Sequence, residues 1–136
     1  MDPLLIDRLS ARILGIGTDL AEVDRIQQSI ARFGERFIQR IYTPGEIAYV
    51  TSKANRFECY AARFAAKEAG MKALGAGWSG GIRFIDLEVA NLPSGRPTLQ
   101  LHGHAARHAA ELGVCHVHLS LTHTLSMAMA VVILEA

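Results

Sequence analysis

The sequence predicts an α+β fold in which a small antiparallel sheet packs against one long helix. Three observations predict it. Arg56 to Leu74 has a helix composition, because Ala61, Ala62, Ala65, Ala66, Ala69 and Ala73 add helix propensity without bulk. Cys115–Thr122 and Leu125–Leu134 alternate in the manner of strands and are joined by a turn at His123-Thr124. Arg83–Leu92 also alternates, and Pro93-Ser94-Gly95-Arg96-Pro97 separates it from a short strand at Thr98–Leu101, as in a hairpin.

Taken in order, residues 1–11 read as an N-terminal extension and residues 12–136 as a single domain. Ile13 to Leu20 is an apolar strand. Its glycines, Gly15 and Gly17, mark where another backbone passes closely. Asp19 then stands at the strand's end before a helix. An aspartate there is ordinarily an N-cap; held on rigid scaffold, it is also a candidate metal ligand or base. Ile26, Ile30, Phe33 and Phe37 form an amphipathic stripe. Arg25, Arg32, Arg36 and Arg40 flank that stripe if the helix runs through or resumes after Gly34. The pattern alone reads them as a solvated face; an acidic partner is the other reading.

Thr43-Pro44-Gly45-Glu46 carries a helix start, with Thr43 as N-cap, Pro44 at the first position and Glu46 closing a capping box. The long helix follows and ends at Gly75, with Gly77 letting the next turn bend. In the Arg83–Leu92 strand, Phe84, Asp86, Glu88 and Ala90 share one face and Ile85, Leu87, Val89 and Asn91 the other. Gly103–Leu112 is a second alanine-rich helix, closed by Gly113. In the next strand Cys115, Val117, Leu119 and Leu121 face one way, and His116, His118, Ser120 and Thr122 the other. The last strand, with Met127, Met129, Val131 and Ile133 alternating with Ala128, Ala130 and Val132, reads as buried on both faces.

Composition narrows the function. Net charge is +1, which argues against a nucleic-acid or membrane partner, and no apolar run has the length of a membrane span. Eleven of the fourteen basic residues are arginine, which suits phosphate and carboxylate recognition. Two cysteines without CxxC spacing read as reduced thiols of a cytoplasmic protein. All six histidines fall between His102 and His123, but no zinc-type spacing supports a zinc site. A GxSxG elbow, a P-loop and a GxGxxG fingerprint are all missing.

What remains is an oxygen-ligand pair, Asp19 and Glu68, with the cations Arg63, Lys67 and Lys72. On the long helix Arg63 and Lys67 share one side, Glu68 and Lys72 another. Structural ion pairs are the commoner reading of such spacing. The functional reading is Mg²⁺ on two carboxylates beside cations for phosphate, the apparatus of phosphoryl-type transfer.

Three motifs then bear a resemblance. GIGTDLAEVDRI (Gly15–Ile26), RFAAKEAGMKALGAG (Arg63–Gly77) and HLSLTHTLSMAMAVVI (His118–Ile133), with DLEV at 86–89 and GRP at 95–97, resemble the holo-[acyl-carrier-protein] synthases. These are the short bacterial class of 4′-phosphopantetheinyl transferases. The match runs from Ile13 to the C-terminus. It implies that fold, and the transfer of 4′-phosphopantetheine from coenzyme A to a serine of apo acyl carrier protein in fatty acid biosynthesis. Adenosine 3′,5′-bisphosphate is released.

It further implies Mg²⁺ on Asp19 and Glu68, with Lys72 near the transferring phosphate. Asp19, Glu68 and Lys72 are then the catalytic set. Arg63, Lys67, Lys72, Gly75, Gly77, Pro97, His118, Ser120 and Thr122 fall at co-substrate positions. An acidic carrier docks on Arg25, Arg32, Arg36 and Arg40, and the assembly is a homotrimer with coenzyme A between subunits. Transfer to a carrier of specialised metabolism, and a non-catalytic binding module, are the alternatives. Gly70 departs from the family pattern, at a cost of about 1 kcal/mol against alanine in mid-helix.

Overall fold

The structure is a computed structural model that describes residues 12–77 and 80–136; the expected extension at residues 1–11 lies outside the described residues. Strand β1 (Ile13–Glu22) leads into helices α1 (Val23–Phe33), α2 (Glu35–Ile41), α3 (Pro44–Thr51) and α4 (Arg56–Leu74). A 3₁₀ turn at Phe84–Asp86 precedes β2 (Leu87–Asn91) and β3 (Pro97–Leu101). Helix α5 (Gly103–Leu112) and strands β4 (His116–His123) and β5 (Met127–Glu135) complete the chain. The expected α+β class holds.

Two antiparallel sheets form, one ordered β1-β5-β4 and the other the β2-β3 hairpin. Helix α4 lies across the larger sheet. Its alanines Ala61, Ala65, Ala66 and Ala69 have no exposed surface, and they face Ala128, Ala130 and Val132 of β5, which are equally buried. Small residues on both sides let helix and sheet approach closely. Gly15 and Gly17 complete this contact. A Cβ on Gly17 would lie 1.8 Å from the Ala69 carbonyl oxygen, and one on Gly15 2.0 Å from that of Ala73. Gly70 answers to the other sheet, since a Cβ there would lie 2.5 Å from Leu87 Cδ2. The departure from the family pattern is therefore matched by the leucines of the hairpin.

The Thr43 capping box is present: Glu46 N–H donates to Thr43 Oγ1 at 3.2 Å and Thr43 N–H to Glu46 Oε1 at 2.9 Å. Gly75 closes α4 in the left-handed region, at φ 68°. The helix after β1 breaks at Gly34, with φ 59°, and resumes as α2.

Three expectations are corrected. First, β1 continues to Glu22, so Asp19 is mid-strand and caps nothing; Glu22 holds the N-cap position of α1. Second, the segment from Arg83 begins with a 3₁₀ turn, because Asp86 folds back to accept from the Arg83 N–H at 2.9 Å. Third, β5 is not covered on both faces. Ala128, Ala130, Val132 and Leu134 are buried, but Met129 is exposed, and on β1 beside it Ile16 is 59% and Leu20 63% exposed. The alternation predicted the strand, and among the described residues its second face is left partly open.

Candidate active site

The site is built where β1 meets α4. Gly15, Gly17, Asp19 and Ala21 lie on the helix-facing side of β1, opposite Leu134, Val132, Ala130 and Ala128 of β5. Two glycines in that row bring the strand onto the helix backbone. Asp19, the next residue in the row, then stands beside Glu68 and Lys72 of α4. Lys72 Nζ donates to Asp19 Oδ1 at 3.1 Å and to the Thr18 carbonyl at 3.0 Å. The lysine is largely exposed, and the aspartate is mostly covered.

Glu68 is half-buried, and its pKa is raised above the ordinary carboxylate value. Burial is the main cause, the neighbouring Asp19 charge adds to it, and Lys72 opposes it. Two partly covered carboxylates with one cation at the rim are the side chains here that could hold a metal ion. The donors are oxygens without thiolate or imidazole, which suits a hard ion such as Mg²⁺ that completes its shell with water and phosphate oxygens. Among the described residues no group of three or more His, Cys, Asp or Glu side chains is placed to hold a metal ion.

The other expected cations do not join this site. Lys67 is fully buried and faces away from it. Its ammonium donates to Glu46 Oε1 at 2.6 Å and to the carbonyls of Phe84 and Leu87. All three donors are filled from inside the chain, so Lys67 is a structural cation and not a phosphate ligand. Burial lowers its pKa, and Glu46 opposes the shift. Its partner Glu46 was legible in the sequence only as a capping residue.

Arg63 lies nine residues before Lys72, on the opposite face of α4. Its guanidinium is buried, stacks over the Tyr49 ring at 4.4 Å, and donates from Nη2 to Asn91 Oδ1 at 2.9 Å. Asn91 pairs with Pro97 in the hairpin register, so Arg63 and Pro97 belong to one neighbourhood, separate from Asp19. Gly75 and Gly77 follow the end of α4, a few residues beyond Lys72.

The β4 residues form a third group. His118, Ser120 and Thr122 are exposed and pair with Ile133, Val131 and Met129 on the uncovered face, away from Asp19. His118 Nε2 lies 3.2 Å from Glu135 Oε1. The expected co-substrate positions thus occupy three surfaces of one chain. Arg25, Arg32, Arg36 and Arg40 are all exposed along α1 and α2. Arg36 and Arg40 flank a groove of about 560 Å³ whose apolar wall includes Phe33, Phe37, Phe64 and Phe84.

A sequence model of the 4′-phosphopantetheinyl transferase superfamily matches residues 15–130. The chain belongs to that superfamily. It is 68% identical over 123 residues to a holo-[acyl-carrier-protein] synthase of Solibacter usitatus, covering 90% of this chain and 98% of that protein. Among solved structures it is similar to the holo-[acyl-carrier-protein] synthase of Neisseria meningitidis. That match has a TM-score of 0.85 and 32% identity over 92% of this chain and all of the other. It is also similar to the synthase of Bacillus anthracis in complex with CoA (3′,5′-ADP), with a TM-score of 0.75 and 35% identity, over 91% of this chain and 97% of that one. The superfamily match spans the strand that carries Asp19 and the helix that carries Glu68 and Lys72.

Proposed function

We propose that this chain is a holo-[acyl-carrier-protein] synthase. It transfers the 4′-phosphopantetheine arm of coenzyme A to a serine hydroxyl of apo acyl carrier protein in fatty acid biosynthesis. The observation that carries the reading is the meeting of Asp19, Glu68 and Lys72 on a strand and a helix held in backbone contact. In the reaction the serine oxygen forms a bond to the phosphorus that bears the pantetheine arm. The bond from that phosphorus to the bridging oxygen breaks, and adenosine 3′,5′-bisphosphate leaves. The serine proton is lost.

Asp19 and Glu68 fit Mg²⁺, which when bound supplies positive charge to the diphosphate oxygens. Asp19 is held by the strand and Glu68 by the helix, so neither reorganises for the reaction. Lys72 has the freedom to leave Asp19 and follow the charge that builds on the leaving phosphate.

The three separated groups support a composite site. One chain keeps Asp19 on the inner face of the sheet and His118, Ser120 and Thr122 on the outer face, so a single ligand reaches both only in an assembly. The uncovered apolar row of Ile16, Leu20, Met129, Val131 and Ile133 supplies a surface for it. We assign the assembly as a homotrimer on the resemblance. The exposed arginines of α1 and α2, beside the phenylalanine groove, fit an acidic carrier protein that inserts an apolar side chain. Two free cysteines, and the lack of any helix among the described residues long and apolar enough to cross a membrane, accord with a cytoplasmic enzyme.

The test is the intact mass of an apo acyl carrier protein incubated with coenzyme A and this protein, with Mg²⁺ or with a chelator. A gain of one phosphopantetheine that needs the metal is expected, as is its loss in Asp19→Ala and Glu68→Ala. A gain that survives the chelator overturns the metal assignment, and no gain on any of several carriers overturns the transfer.

A further inference from the structure

The Arg63 side chain is 96% buried, since its exposure is 4%. A buried guanidinium ordinarily pairs with a carboxylate, because an uncompensated buried charge is costly. Here none does: among the described residues no acidic side chain lies within ion-pair distance of it. The neighbouring charges are already matched. Glu46 pairs with Lys67, while Glu88 accepts from Thr43 and lies 3.0 Å from His102. Arg63 Nε is buried with no hydrogen-bond partner at all. Its polar partner is the neutral amide of Asn91, and its face is satisfied by the Tyr49 ring.

Asn91 has a second bond. Its Nδ2 donates to the Gly95 carbonyl at 3.0 Å, and its backbone pairs with Pro97. One side chain therefore ties the buried cation of α4 to the turn that carries Gly95, Arg96 and Pro97. An aspartate would make the same contact to Arg63 with more strength in isolation, but it would cancel the charge.

We propose that Asn91 is a positioning residue that fixes Arg63 and the Gly95–Pro97 turn together while leaving the guanidinium charge uncancelled for a phosphate group of the co-substrate. This rests on the reading that coenzyme A binds against the Arg63–Pro97 neighbourhood. Positive potential from a buried cation reaches a nearby phosphate through protein of low polarity and is screened little.

The test compares Asn91→Asp, Asn91→Ser and Arg63→Gln by calorimetric coenzyme A binding at low and high salt, beside thermal unfolding. Asn91→Asp weakens binding about tenfold, with the loss persisting at high salt because the buried pair is screened little, and without lowering the unfolding temperature. Asn91→Ser loosens the turn without adding charge and costs markedly less. Equal losses in Asn91→Asp and Asn91→Ser mean that the charge is irrelevant and overturn the inference. A loss in Arg63→Gln with none in Asn91→Asp overturns the inference and leaves the binding reading standing. No loss in Arg63→Gln removes that binding reading and the inference with it.

Discussion

Lys67→Met separates a structural lysine from a phosphate-binding one. In the folded chain the Lys67 ammonium has no exposed surface and fills three acceptors: Glu46 Oε1, Phe84 O and Leu87 O. Methionine keeps the length of the side chain and removes all three bonds. Glu46 would stay buried, with only the N–H groups of Thr43 and Val89 to hold its charge. Breaking one side of a buried ion pair costs about 3–5 kcal/mol. With an unfolding entropy of about 2.1 cal/mol/K per residue, that lowers the unfolding midpoint by roughly 10–17 °C in a chain of this length. The pair also joins α3, α4 and β2, so the loss is global. Glu46→Gln combined with Lys67→Met recovers part of it, because the neutral amide no longer buries a charge yet keeps an oxygen for one backbone N–H. The assays are urea unfolding, and transfer kinetics at a temperature where both proteins stay folded. The KM for coenzyme A should stay within about twofold, since no kcal-scale contact to ligand is lost. A variant with unchanged stability and a KM raised tenfold or more would refute the reasoning and return Lys67 to the ligand.

Gly17→Ala places a Cβ 1.8 Å from the Ala69 carbonyl oxygen and should cost at least about 2 kcal/mol, with transfer lost because Asp19 is pushed from Glu68; chemical denaturation and the mass assay check both. Lys72→Met removes a cation from Asp19 and should tighten Mn²⁺ binding about two- to fivefold, as measured by electron paramagnetic resonance, while transfer falls. Glu88 has a pKa below the ordinary carboxylate value, chiefly through the hydrogen bond from Thr43, with His102 helping and burial opposing. A lowered folded-state pKa contributes stability at neutral pH, and that contribution fades as pH falls through the ordinary carboxylate range to the folded value. Denaturation against pH should therefore show wild type more stable than Glu88→Gln near neutrality, with the gap closing in acid. Leu20→Glu puts a charge on the uncovered sheet face and should yield a smaller species in analytical ultracentrifugation than the wild type.

Much of the fold was legible because it rests on local signals. The Thr43-Pro44-Gly45-Glu46 cap, the left-handed Gly75 and the alternation of β4 each depend on residues within one element. What was not legible depends on elements meeting. The sequence marked Lys67 as one more cation, because only the fold reveals that Glu46, twenty-one residues earlier, turns its carboxylate inward to meet it. The signal was weak but present: a capping glutamate with an acidic residue's full charge and an apolar helix face carrying a lysine. Asn91 read as an ordinary strand residue, since its importance comes from the buried Arg63 on α4. Asp19 was misplaced by the usual preference for aspartate at helix starts, because β1 runs on to Glu22, beyond the apolar stretch that ends at Leu20.

The same packing feature fixes both the fold and the site. A strand normally stands off a helix by the thickness of its side chains. At Gly15 and Gly17 that spacer is missing, and β1 settles on the carbonyls of Ala73 and Ala69. The next inward residue on the strand is then forced to the level of the helix surface, where Glu68 and Lys72 emerge. Had that residue been apolar, the junction would be one more piece of core. An aspartate there instead stands beside a glutamate whose pKa is raised, by burial first and by the Asp19 charge second. The close contact of alanines and glycines is thus what brings the two carboxylates together on one rigid scaffold.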